Sequence, residues 1–522
     1  MTSVGEALVR GLKARGVTVV FGIPGVHTIE LYRGLPGSGI RHVTPRHEGA
    51  AAFMADGYAR VSGKPGVAFV ITGPGLTNAL TPLAQARADS VPVLTVSGVN
   101  PVATQGKGHG HLHELPDQLG MMRTVALHAT EIAAPEALGP ALDGAFAALT
   151  EGRGGPVHLQ VPTDVMPMAC PELATPAHRG GPAAPPAQTL IEAARRLNAA
   201  ARPVILAGGG VKRAGAALRA VAEALDAPVI QTANARGLMH GHPLTVPASP
   251  SLDAARDLIR GSDLVLAIGT ELGPTDYDMY KRGGLPDLSG MIRIDLDADQ
   301  LARHPAALPI AAEARVTLDA LAPLLAPARR DGAARADAAR RAALAELSPA
   351  MRAQIALLDT LRAALPGAIV VGDSTQPVYA GNLYYDHDRP GGWFNAATGF
   401  GALGYGPPAA IGAAIAAPGT PVVCLTGDGG LQFSLAELMT AMDEGVDVTF
   451  LVWNNAGYGE IADAMRAAGT EVIGCTPTPP LFEPLAAAAR MPFVSIPATR
   501  DALAAALRAP RKGPRMIEVR VG

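Results

Sequence analysis

The sequence predicts an α/β protein of three doubly wound parallel-sheet domains, on three observations. The first is rhythm: short β-branched apolar runs alternate with Ala-rich helical segments along most of the chain. Apolar runs of four to six residues separated by helices indicate parallel strands covered on both faces. The second is length, since 522 residues at ~100–200 per domain give roughly three domains. The third is a pair of breaks. MPMACPELATPAHRGGPAAPPAQTL (166–190) is too rich in Pro and Gly for regular structure and reads as a linker. LAPARRDGAARADAARRAALAELSPA (325–350) reads as an exposed joining helix whose arginines form a solvated face. The pieces are 1–165, 186–325 and 350–522, the first and last sharing the same strand-helix rhythm.

The first piece opens with MTSVGEALVRGLKARGV, where Val4, Leu8 and Leu12 recur at helical spacing between charges. Its strands are VTVVFGIP (17–24), GVAFVIT (66–72) and VPVLTVSG (91–98). The middle piece carries PVILAGGG (203–210) and DLVLAIG (263–269), and the last carries AIVVGD (368–373), PVVCLTGDGG (421–430) and VTFLVWNN (448–455). Apolar residues are 48% and charged residues 17%, which supports a large core and excludes disorder. With 43 basic against 46 acidic side chains, the basic excess of a nucleic-acid protein is missing. Three scattered cysteines argue against a disulfide framework or a Cys-based zinc site. The N-terminus has no signal-peptide core, and no stretch reaches ~18 strongly apolar residues, so a cytoplasmic protein without a membrane span is expected.

The strongest chemical signal is PVVCLTGDGG, a strand ending in Gly427, Asp428, Gly429 and Gly430. Ser434 with Glu437 three residues on reads as a capping box opening the next helix. A second strand, VTFLVW, ends in Asn454 and Asn455, with 24 residues separating Gly429 from Asn454. Parallel neighbours bring both ends to the carboxyl edge of a sheet, where open α/β folds bind ligands. Asp428 offers a hard anionic oxygen and Asn455 an amide oxygen, suited to Mg²⁺ that also takes phosphate oxygens. The glycines let backbone N–H groups approach a phosphate. Either half alone reads equally as a plain turn.

Together they resemble the diphosphate-binding motif of thiamine diphosphate enzymes, GDG followed by about two dozen residues and NN. The resemblance implies a metal site at Asp428, Asn455 and the backbone carbonyl of Gly457, with Gly427, Gly429, Gly430 and Tyr458 around the cofactor. PRHEGAAAFMADGYARVSGKPGV (45–67) resembles the family segment with the catalytic glutamate, here Glu48, whose carboxylate beside the aminopyrimidine would stabilise its imino tautomer. FGIPG and TGPGLTN fit the pattern, implying Pro24 and Asn78 near the pyrimidine. GFGALGYGPPAAIGAA (399–414) implies contacts from Gly401 and Leu403, and GDSTQP (372–377) a second diphosphate loop through Thr375 and Gln376. The chain thus resembles the acetolactate synthase and 2-oxo acid decarboxylase superfamily over its whole length. That implies pyrimidine-binding, central and diphosphate-binding domains, and a homodimer or dimer of dimers with sites shared between chains.

Other features read differently. Gly399, Gly401 and Gly404 spell GxGxxG after WFNAAT, a poor strand, with no acidic residue ~20 positions on. AGGGVKRAG (207–215) resembles the central-domain loop of the family, but GTELGPTDYDMY (269–280) lacks the Arg-Phe-Asp stretch of FAD-binding members, so FAD is doubtful. His109, His111 and His113 lie in a Gly-rich loop and make a poor metal site. Context aligns His113 with the family's substrate-side glutamine, implying a polar active-site role. In this superfamily carbon dioxide leaves a 2-oxo acid, after which an aldehyde is released or a second carbonyl is joined. GIPGVHTIELYRGLP, LHELPDQ, GDSTQPVYAGN and WNNAGYGEI resemble proteins assigned as 5-guanidino-2-oxopentanoate (2-ketoarginine) decarboxylases. Glu460, directly after the metal loop, is the leading carboxylate to hold a guanidinium, with Glu114, Asp117, Asp276 and Asp278 as alternatives. Its plain alternative is a first-turn charge stabilised by the helix dipole.

Overall fold

The computed structural model describes residues 2–176, 181, 184–279 and 283–521. Linker residues 177–180 and 182–183, and Tyr280 at the end of 269–280, lie outside the described residues. The N-terminal helix spans Val4–Ala14 and buries Val4, Leu8 and Leu12. Ser3 and Glu6 cap it reciprocally: the Ser3 N–H donates to Glu6 at 2.8 Å and the Glu6 N–H to Ser3 Oγ at 3.2 Å.

Strands gather into three six-stranded sheets whose described pairings are parallel. The first holds β1 (Val19–Gly22), β2 (Arg41–Val43), β3 (Gly66–Val70), β4 (Val93–Val99), β5 (His128–Glu131) and β6 (Val157–Pro162), ordered β2-β1-β3-β4-β6-β5. The second holds β7 (Pro203–Ala207), β8 (Val229–Gln231), β9 (Thr245–Val246), β10 (Leu264–Ile268), β11 (Ile292–Asp295) and β12 (Leu308–Ala311), ordered β12-β11-β10-β7-β8-β9. The third holds β13 (Ile369–Gly372), β14 (Trp393–Asn395), β15 (Val422–Gly427), β16 (Val448–Asn454), β17 (Phe493–Pro497) and β18 (Arg515–Arg520), ordered β14-β13-β15-β16-β18-β17. Counted along the chain, the first and third sheets have the same strand order, the structural counterpart of their shared rhythm. The second has the other common doubly wound order. There, the Gly208 N–H donates to Ile268 O and the Gly210 N–H to Gly269 O, both at 3.0 Å. Any Cβ at Gly210 would lie 2.8 Å from Gly269 Cα, so these glycines serve backbone-to-backbone packing.

Contacts divide the chain into two compact units, residues 1–179 with 399–495 and 510–520, and residues 180–398 with 496–509 and 521–522. In the first, helix Glu48–Ser62 packs on helix Gly406–Ala416. The two cross at glycines: a Cβ on Gly57 would strike the Ala409 backbone, and one on Gly412 the Met54 backbone. Beside that crossing, fully buried Asp56 accepts from Arg60 Nε at 2.7 Å and from Tyr405 Oη at 2.6 Å, and Arg60 also pairs with Asp89 at 2.8 Å. Breaking a buried pair by removing one partner typically costs ~3–5 kcal/mol. Asp56→Asn should therefore lower the thermal midpoint measurably by circular dichroism; an unchanged midpoint would show the cluster to be neutral.

Three sequence expectations need correction. The arginines of 325–350 form a solvated face only in part: Arg329 and Arg341 are exposed, whereas within the second unit Arg330 donates to Leu225 O and Asn198 O, Arg335 to Pro203 O and Arg340 to Thr245 O. The helix itself spans Gly332–Glu346 and buries Ala336, Ala339 and Ala343. WFNAAT does hold a strand, β14, because Trp393 is buried and its Nε1–H donates to Asn382 Oδ1 at 3.1 Å. Ser434 does not cap it: the helix after GDGG starts at Glu437 with Ala436 at the cap position, and buried Ser434 Oγ has no hydrogen-bond partner among the described residues. Glu437 instead accepts the Arg46 N–H at 3.0 Å and the Thr440 hydroxyl at 2.8 Å. No helix is long and apolar enough to cross a membrane among the described residues.

Candidate active site

Glu48 opens helix Glu48–Ser62, and His47 caps it by accepting the Gly49 N–H on Nδ1 at 3.1 Å. A first-turn carboxylate is stabilised by the helix dipole. Asn78 Nδ2 donates to Glu48 Oε2 at 3.0 Å, so two of the expected site residues meet. Asn78 ends the turn Pro74–Asn78, which starts at Gly73 with φ +64°. Exposed Pro24 lies on the loop after β1, and that loop meets the one after β3 where Gly25 packs on Ile71. Strand order reverses between β1 and β3, which makes this edge a topological switch point.

His113 stands here too, in the left-handed region at φ +62°. Its ring meets His27 edge-on with centroids 5.3 Å apart, and the buried Nδ1 atoms of both have no hydrogen-bond partner among the described residues. Burial, with His113 nearby, pushes the His27 imidazole below its ordinary range. In the sequence only the position of His27 in GIPGVHT, three residues after Pro24, points to this place. His109 and His111 stay exposed at 6.3 Å, and no cluster of three or more His, Cys, Asp or Glu side chains could hold a metal among the described residues.

In the third sheet β15 ends at Gly427, and Asp428–Leu431 forms a short helical turn. Asp428 is 2% exposed. Burial pushes its carboxyl above the usual range, while backbone N–H groups of Asn455, Gly457 and Gly429 oppose the shift. Asp428 and the loop after β16 are thereby brought together. A Cβ on Gly429 would strike the Tyr458 ring, so only glycine lets that ring close over the turn. The loop is held by the Ala456 N–H on Asn454 Oδ1 at 3.1 Å and the Tyr458 N–H on Cys475 O at 2.9 Å. Asn454 is itself engaged with Glu518 at 2.6 Å.

Glu460 lies in the first turn of helix Gly459–Ala467. Its side chain is largely exposed, yet partial burial of the carboxyl, with Asp463 nearby, raises its pKa. It makes no hydrogen bond or ion pair among the described residues. The alternatives are occupied. Glu114 accepts N–H groups of Gly108, Gly110 and His111, and Asp117 accepts the Gly120 N–H as a helix cap. Asp276 accepts the Ala233 N–H, and Asp278 pairs with Arg256 and accepts the Gly284 N–H.

Gly401 (φ +77°) and Leu403 are exposed, and the Ala402 N–H between them donates to Gln85 at 3.2 Å. The structure does not bring this loop to Glu48. Met54 meets Gly412, Gly57 meets Ala409, and Arg60 lies over the Tyr405 ring, so the two helices run antiparallel. At 1.5 Å per residue, Glu48 is roughly 18 Å along its helix from Arg60, and Leu403 lies beyond the Arg60 end. Thr375 and Gln376 belong to the second unit, where buried Thr375 immediately precedes helix Gln376–Leu383.

Known proteins share this architecture. Residues 2–121, 190–321 and 373–519 match the N-terminal TPP binding domain, the central domain and the C-terminal TPP binding domain of thiamine pyrophosphate enzymes. The "Probable 2-ketoarginine decarboxylase" of Pseudomonas aeruginosa is 45% identical over 487 residues, covering 92% of this chain and 86% of that one. Acetolactate synthase isozyme 1 large subunit of Escherichia coli is 31% identical over 476 residues, 87% of this chain and 82% of the relative. An X-ray structure described as a thiamin diphosphate-dependent enzyme from Mycobacterium smegmatis superposes with TM-score 0.83 at 24% identity, covering 99% of each chain, which bears on the fold. With three matched domains and a 45% identical relative covered over most of its length, the chain belongs to the thiamine pyrophosphate enzyme family.

Proposed function

We propose that this chain decarboxylates 5-guanidino-2-oxopentanoate non-oxidatively to the aldehyde, using thiamine diphosphate and Mg²⁺. The 45% identity to a protein named as a 2-ketoarginine decarboxylase supports it. The observation that carries it is the place of Glu460: a carboxylate three residues past Gly457, with no hydrogen bond or ion pair among the described residues, free to meet a cationic partner. A guanidinium can meet it bidentately. In this reading residues 1–165 are the pyrimidine-binding domain, 186–325 the central domain and 350–522 the diphosphate-binding domain.

The cofactor when bound supplies the electron sink that lets carbon dioxide leave. The donor set fits the metal: the Asp428 carboxylate, the Asn455 amide oxygen and the Gly457 carbonyl are hard oxygens. A divalent cation beside Asp428 offsets the burial that raises its pKa. Gly427, Gly429, Gly430 and Tyr458 would hold the diphosphate. Pro24, Asn78, Gly401 and Leu403 hold the pyrimidine, where Glu48 holds a proton at the ring nitrogen. His113 lines the substrate side.

The antiparallel helix pair keeps Glu48 from the Leu403 loop of its own chain, which supports a homodimer with shared sites, extended to a dimer of dimers. Exposed apolar side chains at both ends agree: Val26, Ile29 and Leu112 at the Glu48 end, and Phe400, Leu403, Phe433 and Ile461 at the other.

Purified protein with Mg²⁺, thiamine diphosphate and a panel of 2-oxo acids tests the reading, with aldehydes separated from acyloins. Glu460→Gln should cost roughly 10–150-fold on the guanidino substrate, the range of one hydrogen bond to a charged group, and much less on an uncharged acid of similar length. Because pairing needs the ionised carboxyl, the unmodified enzyme should lose affinity for the cationic substrate as pH falls through the raised Glu460 pKa. The Gln variant should be flat there. Equal losses on both substrates would assign Glu460 to proton transfer. Pyruvate as best substrate, with acetolactate as product, would replace decarboxylation by carboligation, the activity in the name of the 31% identical relative.

A further inference from the structure

We infer that Gln118 is a positioning residue for Glu48, acting through the turn at Gly73; this rests on the assignment of Glu48 above. Gln118 is 4% exposed and opens helix Gln118–Arg123. Its carboxamide is engaged at both ends. Oε1 accepts the Gly73 N–H at 3.1 Å. Nε2 donates to Gly98 O at 2.9 Å, with Gln160 Oε1 at 3.2 Å and Ser97 Oγ at 3.3 Å.

Those anchors are rigid. Ser97 and Gly98 lie on β4, and Ser97 Oγ meets His158 Nε2 of β6 at 2.9 Å. Gln160, also on β6, donates to Glu131 of β5 at 2.6 Å. The far side is a backbone position that only glycine can occupy. Gly73 holds φ +64° and ψ −108°, which side-chain-bearing residues do not adopt. The His113 carbonyl packs where a Cβ would stand, and Pro74 has no N–H to contribute. The Gln118 oxygen is therefore what ties the start of the turn to the sheet, and four residues later Asn78 reaches Glu48.

The test uses the holoenzyme. Gln118→Met removes both ends of the amide, and Gln118→Glu keeps an acceptor for Gly73 but loses the donors to Gly98. Since a misplacement of ~1 Å can cost ~10²-fold, Gln118→Met should lower kcat about 10–100-fold with KM little changed. Gln118→Glu should fall between it and the unmodified enzyme. The near-ultraviolet circular dichroism of the bound aminopyrimidine reads the proton that Glu48 controls, so its pH midpoint should shift in both variants. Added to Glu48→Gln, Gln118→Met should cause little further loss, because the two act through one group. Full additivity, or an unshifted midpoint with wild-type kcat, overturns the inference. If Gln118→Met does not fold, Gln160→Met loosens one anchor and carries the same test, with a smaller loss and the same shift expected. If Glu48→Gln is itself fully active, the assignment of Glu48 has failed; if it is inactive while Gln118 variants behave as wild type, only the positioning role has.

Discussion

Glu48→Gln should bind thiamine diphosphate nearly as well as the unmodified protein and lose ~10²–10⁴-fold in turnover, the usual contribution of a general acid–base group. The amide preserves side-chain volume and a hydrogen-bonding partner for Asn78, so the turn and the helix start should survive. What it removes is the negative charge that, on the proposed assignment, would hold a proton on the pyrimidine nitrogen. Calorimetry for binding and single-turnover kinetics for chemistry separate the two. Near-normal turnover would show that Glu48 is not the activating carboxylate.

Asp428→Ala should abolish Mg²⁺-dependent cofactor binding while leaving the fold intact. A ligand at ~100 times its Kd stabilises the folded state by ~2.7 kcal/mol, so the unmodified protein should melt higher with cofactor and metal added. The variant should show no such rise. Unchanged affinity in the variant would sink the diphosphate site. The two variants together test the shared site. When they are co-folded in equal amounts, half of the dimers carry one chain of each kind, and each such dimer has one intact site of two. Roughly a quarter of wild-type activity should return. Sites contained within one chain would give none.

Much of this was legible in the chain because it is encoded locally. Buried parallel strands need only runs of four to six apolar residues, and GDGG and Asn-Asn sit where two such runs stop. The Ser3–Glu6 cap was within reach of pattern reading for the same reason, both partners being three residues apart. Ser434 and Glu437 carried the same pattern and failed, because tertiary contact redirected Glu437 to Arg46, 391 residues away. Arg330 and Arg335 leave the solvated face for a similar reason: their partners are backbone carbonyls of distant elements, Asn198 near the end of a helix and Pro203 at the start of β7, which no sequence period reveals.

The sequence by itself determined the α/β class, the rhythm shared by the first and last pieces, and the residue types at the diphosphate edge. It could do so because strand length, helical spacing and glycine at a tight turn are properties of neighbours. Only the tertiary structure decided that Glu48 and Leu403 lie at opposite ends of one antiparallel helix pair, since that follows from Gly57 and Gly412 letting two backbones touch. It alone joined Asp56 to Tyr405 across 349 residues and Gln118 to Gly73 across 45. Such pairs have no period and no spacing rule. They form because a buried polar group must find a partner wherever the packed sheets and helices deliver one.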